Sequence, residues 1–301
     1  MLPLFSIFVN VLAPVFIILG IAYVATRQLQ LEGRTLSRLA YYVLTPAFVF
    51  NLISTARIEA ALATRMVAFI TLVYVGSVAV AFLAARLLRR SRKMTIAYMM
   101  IAAFGNVGNF GLPISQFAQG TEALLPATVY FLANLVFAFV LCVLLANSGH
   151  RSPVQAFAQV ARTPSLIALA PALLINAAGI QLPTFTTRTV ELLAAAMIAI
   201  MLIALGAQFA NAGIPRISFD MLMAAGIRLI SGPLLAFALV GFFDLPALER
   251  NVGILQASMP AAVLVSIIAL ENDVLPEFVT ATVLFSNLAS VLTLLLVLAA
   301  L

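Results

Sequence analysis

Charge is what this sequence has least of: only 9% of its 301 residues are Asp, Glu, Lys or Arg, against about 25% in a water-soluble domain. A chain that is 64% hydrophobic, with a mean hydropathy of +1.17, cannot be wetted all round. Apolar stretches of about 20 residues, the length that crosses a hydrocarbon core, recur from end to end, and the short gaps leave no room for a soluble domain. The single cysteine, Cys142, lies in an apolar stretch and excludes a disulfide framework or a cysteine-based metal site. The single histidine, His150, sits beside Arg151 in a loop, so there is no metal-ligand cluster and no histidine near a buried serine to build a hydrolase. A phosphate-cradling glycine loop is missing too, which argues against direct ATP drive, and no metal or cofactor is expected. No Asp or Glu lies deep in an apolar stretch, so a buried-carboxylate proton relay is not expected.

With Gly, Pro and charge as punctuation, ten membrane spans are expected. They fall near residues 5–25, 36–54, 66–88, 94–118, 123–146, 164–180, 188–209, 219–243, 250–270 and 277–300. The first has no basic leader and no small-residue cleavage site, so it is read as a mature span and not a signal peptide. The net charge of +6 resides at span ends, where it orients a membrane protein, and does not point to nucleic acid. Eleven Lys and Arg residues, including Arg34, Arg38 and the Arg86 to Lys93 cluster, follow the odd-numbered spans, and four follow the even-numbered ones. Because Lys and Arg accumulate on the cytoplasmic side, this places both termini outside a multi-pass cell (inner, plasma) membrane protein.

Five spans per half require any related halves to be inserted in opposite senses, as in many secondary transporters. Leu12-Ala13-Pro14 recurs as Leu169-Ala170-Pro171, Pro113 is matched by Pro260, and Asn134 by Asn287. The expected organisation is a five-helix repeat over 1–146, a short cytoplasmic linker over 147–163 and a second, inverted five-helix repeat over 164–301.

Span 4 is interrupted by Gly105, Asn106, Gly108, Asn109, Gly111 and Pro113. Glycine loosens a helix and proline removes a donor, leaving polar groups that lipid cannot satisfy. The stretch from Gln256 through Ser258 to Pro260 reads as a milder interruption of span 9. Paired breaks point to a binding site, because half-helix N-termini offer free N–H groups and a positive dipole end to an anion. The alternative for span 4 is a small-residue packing stripe with a simple kink.

These segments carry a resemblance over nearly the whole chain. Leu36 to Ser54 with Pro46, Asn106 to Pro113 ending in Gly-Leu-Pro, Arg228 to Pro233, and Gln256 through Glu271 to Pro276 resemble the auxin efflux carrier family, with its plant auxin exporters and bacterial malonate-type transporters. The resemblance implies an all-α integral membrane fold of ten helices in two inverted repeats, similar to bile-acid symporters, with helices 4 and 9 crossing at their prolines. It further implies an elevator mechanism, with spans 1, 2, 6 and 7 as a homodimeric scaffold and spans 3–5 and 8–10 carrying an organic anion. The plant members' long hydrophilic loop is reduced here to about 147–163, and the charged residues that plant exporters carry in span 3 are missing around Phe69 to Tyr74, which disfavours auxin itself as cargo.

Asn106 and Asn109 can donate to a carboxylate without burying a cation, or can satisfy unwound carbonyls of their own span. With Gly108, Gly111, Pro113, Ser258 and Pro260 they form the expected substrate site. Arg228, near the bilayer midplane, either meets the anion or ties helices together through carbonyls. Glu271 and Asp273 are solvated helix-end charges or, with Asn134 and Asn287, gate or ion residues. The function expected is secondary transport of a small organic anion, carboxylate, malonate- or auxin-like, by potential-driven export. Sodium- or proton-coupled symport is the alternative, and a non-transporting receptor or enzyme a more distant one. The expected partners are the anion, the lipid bilayer and a second copy of the chain.

Overall fold

The computed structural model describes residues 4–56, 59–146, 160–212 and 217–301. Arg57, His150, Arg151, Arg216 and most of the 147–163 linker lie outside them. Among the described residues the regular structure is helical, apart from one isolated backbone bridge. Seven helices are long and apolar enough to cross a membrane unaided: α1 (Leu4–Leu29), α2 (Gly33–Ser54), α3 (Ala60–Leu87), α6 (Leu124–Ala146), α8 (Thr184–Asn211), α9 (Phe219–Leu239) and α12 (Pro276–Ala300). The shorter α7 (Pro164–Ala178) is apolar as well. The other two expected spans are each two half-helices, α4 (Arg92–Ala103) with α5 (Leu112–Gln119), and α10 (Ala247–Ala257) with α11 (Val263–Glu271).

Lipid-facing composition is plain on α12, where Leu288, Leu292 and Leu296 lie 57–70% exposed on one face while Ser286, Asn287 and Ser290 are buried on the other. Apolar residues outside and polar residues inside suit a chain whose solvent is hydrocarbon. Two helix starts carry a side-chain cap: the Ser91 hydroxyl accepts from the Met94 N–H at 3.3 Å, and Ser218 from Met221 at 3.2 Å. Helix α8 packs on α1 and α2, and α7 on α2; α3 packs on α4, α6 and α9, and α12 on α9 and α11.

The interruptions differ from the sequence expectation in two ways. Five residues, Ser258 to Ala262, separate α10 from α11, whereas three, Phe104 to Asn106, precede the π-turn Val107–Gly111 that leads into α5. The break in span 9 is therefore the longer one and not the milder. The two breaks also cross at Gly105 and Ala261, beside Pro260 as expected but eight residues ahead of Pro113. The Asn106 N–H donates to the Pro260 carbonyl at 2.7 Å, and the Ala262 N–H to the Phe104 carbonyl at 2.8 Å. This bridge satisfies backbone groups that hydrocarbon would leave unpaired.

Pro113 misses the crossing for a physical reason. It lies at the start of α5, which runs on directly from the π-turn Val107–Gly111. The π-turn just before it absorbs the clash between its ring and the carbonyl four residues back. Pro14 and Pro46 are accommodated identically, behind the π-turns Phe8–Leu12 and Ala40–Leu44 of the uninterrupted α1 and α2. Proline marks a bulge at all three places, and the true interruption comes earlier, at the glycine.

Candidate functional site

Two broken helices have two C-terminal and two N-terminal ends to account for, and at this crossing they are treated differently. Side chains meet the C-terminal ends. Arg228, wholly buried on α9, donates from Nη1 to the Ala102 carbonyl at 2.8 Å and from Nε to Met259 at 2.9 Å, and more weakly from Nη2 to Ala257 at 3.4 Å. Its guanidinium lies 5.3 Å from the ring centre of Tyr74 on α3. Charged hydrogen bonds are worth about 1.5–3 kcal/mol each and a desolvated cation–π contact about 2, the scale needed to offset several kcal/mol of desolvation. Asn134 donates to the Ala103 carbonyl at 3.3 Å. Asn287 donates to Ala261 at 2.9 Å and accepts from the Asn106 side chain at 2.9 Å, while Ser286 accepts from the Ala261 N–H at 3.2 Å.

The N-terminal ends are open. Neither Asn106, ahead of the π-turn and α5, nor Ala262, ahead of α11, supplies a side-chain cap. The N–H groups of Val107, Gly108 and Asn109, and of Val263 and Leu264, stand before the first helical bonds of their segments. All five residues line one cavity of about 570 Å³. The positive ends of two helices thus converge on one space, an arrangement worth up to about 2 kcal/mol to an anion when partly buried.

The cavity is lined by the breaks and by α2, α6 and α8, with Ser165 of α7. Asn106, Gly108, Asn109 and Asn134 line it at the crossing, and the Asn134 Oδ1 atom is buried without a partner among the described residues. Helix α2 contributes Arg34, Ser37, Arg38, Tyr41 and Thr45, one helical face, and Gln208 of α8 donates to Ser37 at 2.8 Å. Arg34 and Arg38 stand at the mouth with Glu271 and Asn272, and neither pairs with a carboxylate among the described residues. Sequence reasoning counted the two arginines only as orientation charges. Their spacing on the face shared with Tyr41 and Thr45 was the available signal.

Other expected site residues stand off the cavity wall. Pro260 serves through its carbonyl at the bridge, and Ser258 donates to Ile254 at 2.7 Å within its own turn. Gly111 lies against the Gln256 side chain, which donates to Ser115 at 3.1 Å, and Pro113 follows two residues on. Arg228 and Asn287 hold backbone, as described. Asp273 faces away, paired with Lys93 at 2.8 Å, and that cation holds its carboxyl below the usual carboxylate range. Among the described residues no cluster of His, Cys, Asp or Glu could hold a metal ion.

A multi-pass helical chain whose two interrupted helices meet beside a cavity has the build of a membrane transporter and not of an enzyme. Residues 7–298 match the family described as membrane transport protein, and the chain belongs to this family, the auxin efflux carriers. A protein named "Putative malonate transporter" from Rhizobium meliloti is 28% identical over 301 residues, covering 93% of this chain and 91% of that one. An "Uncharacterized transporter" of Methanothermobacter thermautotrophicus is 25% identical over 266 residues, 87% of each chain. Another from Methanocaldococcus jannaschii is 22% identical, covering 77% of this chain and 78% of its own.

Proposed function

We propose that this protein is a secondary carrier of a small organic anion, a mono- or dicarboxylate of about malonate size, that works by elevator-type alternating access and exports its cargo down the membrane potential. One observation carries the proposal: two uncapped helix N-termini and the Asn109 side chain face a single cavity, while side chains meet the matching C-terminal ends. A carboxylate seated there would accept from the backbone N–H groups of Val107 to Asn109 and from the Asn109 amide, with Arg34 and Arg38 drawing it in from the basic end. With that end cytoplasmic, as the Lys and Arg asymmetry indicates, the cavity is open inward.

Packing supports a division of labour. Helices α1, α2, α7 and α8 pack chiefly on one another and form the proposed dimeric scaffold, and the half-helices ride with α3, α6, α9 and α12 as the moving body. The similar duties of Asn134 and Asn287, each donating to a carbonyl at a break, support inverted halves and ten crossings in all. The cavity lies between the two bodies, where a sliding movement would carry it from one face to the other.

Purified protein in liposomes loaded with labelled malonate provides the test. The expected result is efflux that unlabelled carboxylates inhibit, and that falls about tenfold in Asn109→Ala while folded protein remains in the membrane, the scale of one lost charged hydrogen bond. If no organic acid crosses or competes, the proposal is wrong.

A further inference from the structure

Transporters built on interrupted helices hold their coupling cation at unwound carbonyls and half-helix C-terminal ends, because those ends carry the negative pole of each dipole. Here the place is taken. The C-terminal ends of α4 and α10 converge on the guanidinium of Arg228, which fills the space beside Gly105 that any side chain at that position would need. Gly232, on the same helix, allows the equally close approach of the Ala257 carbonyl. Four more carbonyls around it are used as well: Phe104 and Pro260 by the bridge, Ala103 by Asn134 and Ala261 by Asn287. Among the described residues Arg228 has no carboxylate partner, so these carbonyl ends are what its charge compensates. A guanidinium in a protein does not release its proton, and a residue tethered to α9 cannot leave at either face.

We infer that Arg228 is a resident cation standing where a coupling ion would bind, so that neither an alkali ion nor a proton is exchanged at the crossing during transport. The inference rests on the anion-carrier reading for its transport consequence, but the occupancy itself can be measured without any cargo. A carrier so built is electrogenic with its anion alone, and its cycle is driven by cargo gradient and potential.

The test compares wild type and Arg228→Ala, purified in detergent and in liposomes, in sodium, choline or guanidinium chloride at equal and modest concentration. Wild type should show the same melting temperature and the same malonate flux in sodium and choline. Arg228→Ala should melt lower and carry at least about tenfold less, with guanidinium, and not choline, moving both toward wild type. A wild-type melting temperature that rises with sodium over choline, or a flux that needs sodium, overturns the inference, since an ion that binds the native state must stabilise it. So does an Arg228→Ala protein that melts like wild type and ignores guanidinium. Should that variant fail to fold, the wild-type sodium comparison decides alone. Should no carboxylate cross in any protein, the carrier reading fails while the guanidinium and sodium effects on melting still decide the role of Arg228.

Discussion

Gly105 and Asn287 are the residues on which the crossing depends most. A Cβ at position 105 would meet the Arg228 guanidinium and the Tyr74 hydroxyl, so Gly105→Ala should displace the arginine and abolish flux, which a liposome assay on the folded variant would show. Asn287 bridges Ala261 to Asn106 with both ends of its amide, and Asn287→Ala would strand one buried carbonyl and one buried amide. The expected cost is about 1–3 kcal/mol for each stranded group, read as a lower melting temperature. Asp273 is the contrasting case, an exposed carboxylate paired with Lys93. Because its folded value is depressed, whatever stability the contact gives is present above the unfolded value and is lost only as pH falls through the folded one, well on the acid side. Asp273→Asn should therefore leave melting and flux unchanged at neutral and mildly acid pH.

The interrupted helices were largely legible because they are written in residues that helices avoid, and glycine, asparagine and proline at membrane depth leave few other readings. The exact meeting point was not legible. Pro113 looks like a breaker in one dimension, but whether a proline breaks or merely bulges a helix depends on the π-turn before it, and identical local chemistry at Pro14 and Pro46 interrupts nothing. Arg228 was legible as expensive, and only the convergence of α4, α10 and α3 around it shows what its charge compensates. Arg34 and Arg38 were missed because a charge at a span end serves orientation by default; that their face of α2 turns toward the breaks is a tertiary fact. It follows that Arg38→Gln should raise the malonate KM more at low than at high salt, with kcat nearly unchanged, since an exposed charge at a mouth acts on capture and is screened.

At the scale of the whole molecule, the described helices place one chamber between the group formed by α1, α2, α7 and α8 and the group that carries the crossing. An anion leaving a cell through it gains about 2.3 kcal/mol per charge per 100 mV, so reversing an imposed potential across liposomes should reverse the direction of net flux of a labelled carboxylate. The central claim is that the chamber at the crossing is where the cargo sits, and Asn109 is its most direct reporter. The reaction of Asn109→Cys with a membrane-impermeant thiol reagent, applied from the basic face with and without malonate, measures this while the native Cys142 stays buried. Rapid labelling that slows as malonate is added is the predicted result. A cysteine at that position that resists the reagent from the basic face, or that reacts equally fast at every concentration of a carboxylate the protein carries, would contradict the account.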